Sequence, residues 1–101
     1  MHVVILNSAE KLLESLTPKE LAKVLRTIDL LEEFGHALGL PHSRHMSGGL
    51  LELRVRGKRE VRVFYCFHKN KAVLLHAFIK KTEQTPAKEW ERAQAVRDSL
   101  Q

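Results

Sequence analysis

The chain has 101 residues, 44% of them hydrophobic and 29% charged, with five glycines and three prolines. That is the balance of one compact domain and argues against two. A single cysteine, Cys66, rules out an internal disulfide and suits a reducing cytoplasm; no apolar run approaches the length of a signal h-region or a bilayer span. The net charge of +5 is unevenly placed, since residues 1–53 balance to −2 and residues 54–101 to +7. A one-sided basic surface favours polyanionic partners: nucleic acid, an anionic membrane or an acidic protein segment.

In chain order, His2 to Leu6 reads as a short strand ended by Asn7-Ser8, with Ser8 able to cap a short helix carrying Leu12, Leu13 and Leu16. Thr17-Pro18-Lys19-Glu20 is a stronger start signal, with Thr17 at N-cap, Pro18 at N1 and Glu20 closing a capping box. The longer helix that follows bears Leu21, Val24, Leu25, Ile28, Leu31 and Phe34 as one apolar stripe and stops at Gly35. From His36 to Ser47 the period vanishes, which predicts a surface loop closing at Gly48-Gly49. Leu50 to Arg56 and Glu60 to His68 alternate apolar and polar residues and form a hairpin about Gly57-Lys58. Lys69-Asn70-Lys71 turns the chain into a third strand, Ala72 to Lys80. Thr85-Pro86 opens a last helix whose Ala87, Trp90, Ala93, Val96 and Leu100 face inward.

This order predicts an α+β fold: two N-terminal helices and a C-terminal helix on a mainly antiparallel four-stranded sheet, with no linker or repeat. Helices gathered mostly on one face would leave the other partly open. Arg54, Arg56 and Arg62 fall on that polar face. Like charges opposite one another cost stability unless anions intervene, so either Glu52 and Glu60 form a ladder with them or an outside phosphate supplies the charge. Lys80-Lys81 ends the last strand just before a helix entrance flanked by Thr82 and Thr85, a second basic element suited to phosphate.

The strings GGLLELR (Gly48 to Arg54), VRVFY (Val61 to Tyr65) and LLHAFIKKTEQTP (Leu74 to Pro86), in this order and spacing, resemble the RelE/HigB superfamily of toxins, especially its phage-derived HigB-like branch. The resemblance implies a RelE-like fold and a small ribosome-dependent mRNA endoribonuclease that inhibits translation in the cytoplasm. It further implies neutralisation by a cognate antitoxin, typically a helix-turn-helix protein, with no membrane partner, metal or cofactor. Carried onto this chain, it makes Arg54, Arg62, Lys80 and Lys81 the catalytic residues, with Arg56 and Lys58 extending the RNA-binding surface. Such enzymes activate a ribose 2′-hydroxyl against the adjacent phosphate, so they need positive charge at the transition state and proton transfer at both oxygens. The acid-base candidates are His76, His68, Tyr65 and a lysine, and His76 shares a strand side with Phe78 and Lys80. Two other classes remain open: a basic module that binds an antitoxin or nucleic acid without cutting, and a ParE-like gyrase inhibitor.

Three further features have plainer readings. His36, His42 and His45 are irregularly spaced, without a nearby cysteine or carboxylate, which disfavours zinc. Cys66 suits a small buried residue better than a nucleophile, and Trp90 suits an anchor for the last helix.

Overall fold

A computed structural model describes residues 1–100. The elements are β1 (His2–Ile5), α1 (Asn7–Glu14), α2 (Pro18–Phe34), β2 (Ser43–His45), β3 (Leu51–Val55), β4 (Glu60–His68), β5 (Lys71–Lys80) and α3 (Ala87–Asp98). The sheet has five strands in the order β1-β5-β4-β3-β2. β2 to β5 run antiparallel to their neighbours, and β1 joins β5 in parallel, which makes the sheet mixed. The fifth strand is β2, in the segment the lost apolar period marks as loop. Three residues, two of them exposed, are too few to show a period of two, and they form a strand because β3 offers them an edge.

The α2 start is built as its sequence requires. The Thr17 hydroxyl accepts from the Glu20 amide, and the Glu20 carboxylate accepts from the Thr17 amide. At its end, Gly35 takes a φ of +53°, and a side chain there would also crowd Met1, 3.3 Å from the Cβ position. Ser8 departs from expectation: Leu6 occupies the N-cap of α1 with extended backbone, and Ser8 lies inside the helix.

Alternation along the strands feeds two cores. On one side Leu51, Leu53, Val55, Val61, Val63, Tyr65, Leu74 and Ala77 meet Ala9 and Leu13 of α1 and Val24, Ile28 and Leu31 of α2. On the other side Leu50, Phe64, Cys66, Val73, Leu75 and Phe78 pack with Ala93, flanked by Trp90, Val96 and Leu100. The C-terminal helix therefore lies opposite α1 and α2, and the expected open face is covered by α3. A register shift contributes: Phe64 pairs with His76 but Tyr65 with Leu74, so Leu75 is an extra residue in β5. Strict alternation would send Leu75 toward α1, whereas the bulge lets it join the α3 core. Among the described residues no helix is long and apolar enough to cross a membrane.

The hairpin end of β3 and β4 is pinned to the start of α2. Arg59 Nε and Nη2 donate to the two Glu20 carboxylate oxygens at 2.8 and 2.7 Å. This fork, with the Thr17 amide, holds the Glu20 pKa down to about 2. A carboxylate depressed below its unfolded value of about 4.3 contributes stability in full above that value and loses it as pH falls through 2. Carbon-13 titration of the Glu20 side chain should give a midpoint near 2, and Arg59→Ala should move it up toward the ordinary carboxylate range; an unmoved midpoint would show that the fork is not closed in solution.

Candidate functional site

Strand register lays the polar residues of the α3-side face in rows. Glu52, Phe64 and His76 form one row, Arg54, Arg62 and Phe78 the next, and Glu60 and Lys80 the row beyond, nearest the β3–β4 hairpin. Arg54 and Arg62 thus stand directly opposite each other, an arrangement that costs stability unless it is compensated.

Compensation reaches only one of them. Arg62 Nη1 donates to Glu52 Oε1 at 3.1 Å, and Nη2 donates to Glu60 Oε2 at 3.4 Å. Arg62 is 3% exposed and Glu52 1%, so this is a buried ion pair and not a solvated surface. The expectation that Arg62 points from an open face fails because α3 closes that face and the two flanking glutamates draw the guanidinium into it. Burial leaves Glu52 Oε2 and Arg62 Nε without partners. Arg54 is half-buried, takes part in no ion pair among the described residues, and has its Nε shut away from any acceptor.

The other basic residues lie toward the same end of the sheet. Arg56 and Lys58 are exposed in the hairpin, Lys80 is half-buried at the end of β5, and Lys81 is exposed beyond it. None of the four is ion-paired among the described residues, whereas their neighbour Arg59 is held by Glu20. Five cations outside any ion pair among the described residues therefore collect where β3 and β5 end, beside the paired Arg59 and Arg62.

The acid-base candidates are dispersed. His76 Nε2 lies 3.0 Å from Glu89 Oε1 and Nδ1 lies 2.7 Å from Ser8 Oγ. A carboxylate can only accept, so Nε2 donates to Glu89, and Nδ1 shares a hydrogen bond with the Ser8 hydroxyl. Both ring nitrogens are engaged, and the ring ties β5 to α1 and α3. Tyr65 faces the α1–α2 core, bonded to the Ser43 hydroxyl, and burial pushes its phenol pKa up. His68 sits opposite Lys71, at the other end of the sheet. Burial likewise raises the Cys66 thiol, and Trp90 packs as an anchor for α3. His36 stacks on Phe67 with ring centroids 3.9 Å apart. His42 has a position that its spacing did not suggest: its carbonyl accepts from the Arg54 amide at 2.9 Å, which places it beside the unpaired arginine.

Residues 11–98 match the model of a family described as phage-derived protein Gp49-like. The chain belongs to this phage-derived Gp49-like family. The match runs from α1 through α3 and so includes every residue of the basic cluster. Among solved structures, this Gp49-like chain is similar to a chain of the toxin-antitoxin complex RelBE2 from Mycobacterium tuberculosis, at 24% identity and a TM-score of 0.59, over 78% of this chain and 96% of that one. At that identity the likeness is one of fold. No curated protein matches.

Removing one partner of the buried pair should be far worse than removing both. Arg62→Met strands the buried Glu52 carboxylate and should cost about 3–5 kcal/mol in urea denaturation, while Glu52→Met with Arg62→Met should unfold at or above the parent midpoint. Equal losses in the two variants would mean that the pair is open to water.

Proposed function

We propose that this Gp49-like protein is the toxin of a toxin-antitoxin pair and that it cuts mRNA on the ribosome without a metal. The observation that carries the reading is the cluster of cations outside any ion pair among the described residues, Arg54, Arg56, Lys58, Lys80 and Lys81, at one end of a sheet whose fold is shared with a chain of a toxin-antitoxin complex. A phosphate would supply the anion that Arg54 lacks.

In the reaction this requires, the 2′-hydroxyl of a ribose loses its proton and attacks the adjacent phosphorus. The bond to the 5′-oxygen breaks, that oxygen takes up a proton, and a 2′,3′-cyclic phosphate remains. Charge accumulates on the phosphate oxygens, where the planar fork of Arg54 and the ammonium of Lys80 or Lys81 can meet it. Arg62 is a positioning residue in this scheme, because both of its terminal nitrogens are already committed to Glu52 and Glu60. His76 positions α3 and α1 in the same way. Alignment of the hydroxyl with the phosphorus is left to the ribosome, which would lend the enzyme the orientation that a larger nuclease builds for itself. A cognate antitoxin, of helix-turn-helix type, and a cytoplasmic site of action belong to the same proposal.

One observation favours a second reading, a basic module that binds RNA or an antitoxin and cuts nothing: neither Tyr65, on the opposite face, nor His76, with both nitrogens bonded, is free to move a proton beside Arg54. Programmed ribosomes separate the two. The nuclease reading expects new mRNA 5′ ends inside codons, reduced on the order of 100- to 1000-fold by Arg54→Ala. Binding with no cleavage would leave the module, and double-strand DNA breaks after induction would point to gyrase instead.

A further inference from the structure

A groove lies between α2 and the edge of β3. The pairing of β2 with β3 ends at Leu53, and after one further bond, from the Arg54 amide to the His42 carbonyl, Val55 and Arg56 continue the sheet edge opposite α2. The hollow, about 290 Å³, is walled by Lys23, Arg26, His42, Arg54 and Arg56, and no carboxylate lines it. It adjoins a second hollow of about 230 Å³, with which it shares Lys23 and Arg56; Lys19 and Lys58 stand on the far side. The one carboxylate in that second hollow belongs to Glu20, whose two oxygens are both held by Arg59. On α2, Lys19, Lys23 and Arg26 follow one another at spacings of four and three, so they share a helix face.

We propose that this groove is a second phosphate track that holds RNA backbone outside the segment being cut; it rests on the reading of the protein as one that acts on RNA. Three observations select RNA over an acidic protein segment. The larger hollow has room for on the order of ten water molecules, enough to seat phosphates in single file. Two of its four cations are arginines two residues apart along the β3 edge, whose planar forks match phosphate. Arg54 and Arg56 belong both to this groove and to the cation cluster of the proposed site, so a strand bound there can continue over the β3 edge from one set of cations to the other.

The test is fluorescence anisotropy with a labelled 12-nucleotide RNA carrying 2′-O-methyl groups at every ribose, titrated over a salt series in the absence of ribosomes. This probe cannot be cut by 2′-hydroxyl attack, so a protein that binds it through the groove yet never cleaves mRNA would sink the proposed activity and leave the groove standing. Lys23→Gln with Arg26→Gln, neither of them assigned to the reaction, should weaken binding on the order of tenfold and lower the slope of log affinity against log salt by about 1.4, at about 0.7 for each phosphate no longer neutralised. Should the half-buried Lys23 prove necessary for folding, Arg26→Gln alone, at an exposed position, should lower the slope by about 0.7. The proposal is overturned if affinity and slope match the parent, if the parent shows no salt-dependent binding, or if the substitutions weaken binding of a polyglutamate peptide and leave RNA binding intact.

Discussion

Two guanidinium groups face each other across neighbouring strands, and much of the chemistry of this molecule follows from how that opposition is resolved. The pairing of β3 with β4 sets Arg54 against Arg62, and a slip of one residue would turn the apolar residues of one strand outward. Two glutamates are within reach, Glu52 in the row on one side and Glu60 in the row on the other, and both bond to Arg62. Arg62 becomes a buried, neutralised part of the sheet. Arg54 keeps its charge, and with it a positive site that Arg56, Lys58, Lys80 and Lys81 reinforce.

Covering this face with α3 is what turns a surface ladder into a buried one. The helix needs an apolar floor, which Phe64, Val73, Leu75 and Phe78 provide, and Leu75 is available only through the extra residue in β5. His76, next to the bulge, then reaches Ser8 on one side and Glu89 on the other, so one ring joins β5 to both helical layers. A buried charge pair by itself is weak evidence for stability, since well-packed apolar residues often do as well. Its consequence here is electrostatic: it uses up the carboxylates that would otherwise quench Arg54.

Much of this is legible in the sequence, for reasons that individual residues make clear. Thr17, Pro18 and Glu20 announce a helix because their interactions are local, and the alternation from Leu51 to Phe67 announces strands because each side chain must choose a face. The Glu52-Arg62 ladder is one of two alternatives that the residues allow; deciding it needs the position of α3, which depends on packing between segments far apart in sequence. The remaining departures share that cause. β2 exists because β3 lends it an edge, Ser8 turns from cap to partner because His76 is folded against it, and His42 comes beside Arg54 through a single backbone hydrogen bond. Lys23 and Arg26 look like any polar helix face until the β3 edge is set opposite them.

On the proposed function, labour is divided between the two arginines, with Arg62 holding the sheet and Arg54 meeting the phosphate. The most direct measurement is the rate of mRNA cleavage on programmed ribosomes by the protein carrying both Glu52→Met and Arg62→Met. This variant lacks the paired arginine but keeps the packed volume and Arg54, so it should retain cleavage within about tenfold of the parent, the range of a modest change in positioning. Loss of cleavage on the scale of a missing transition-state donor, on the order of 100-fold or more, in a folded double variant would contradict the division and return Arg62 to the chemistry.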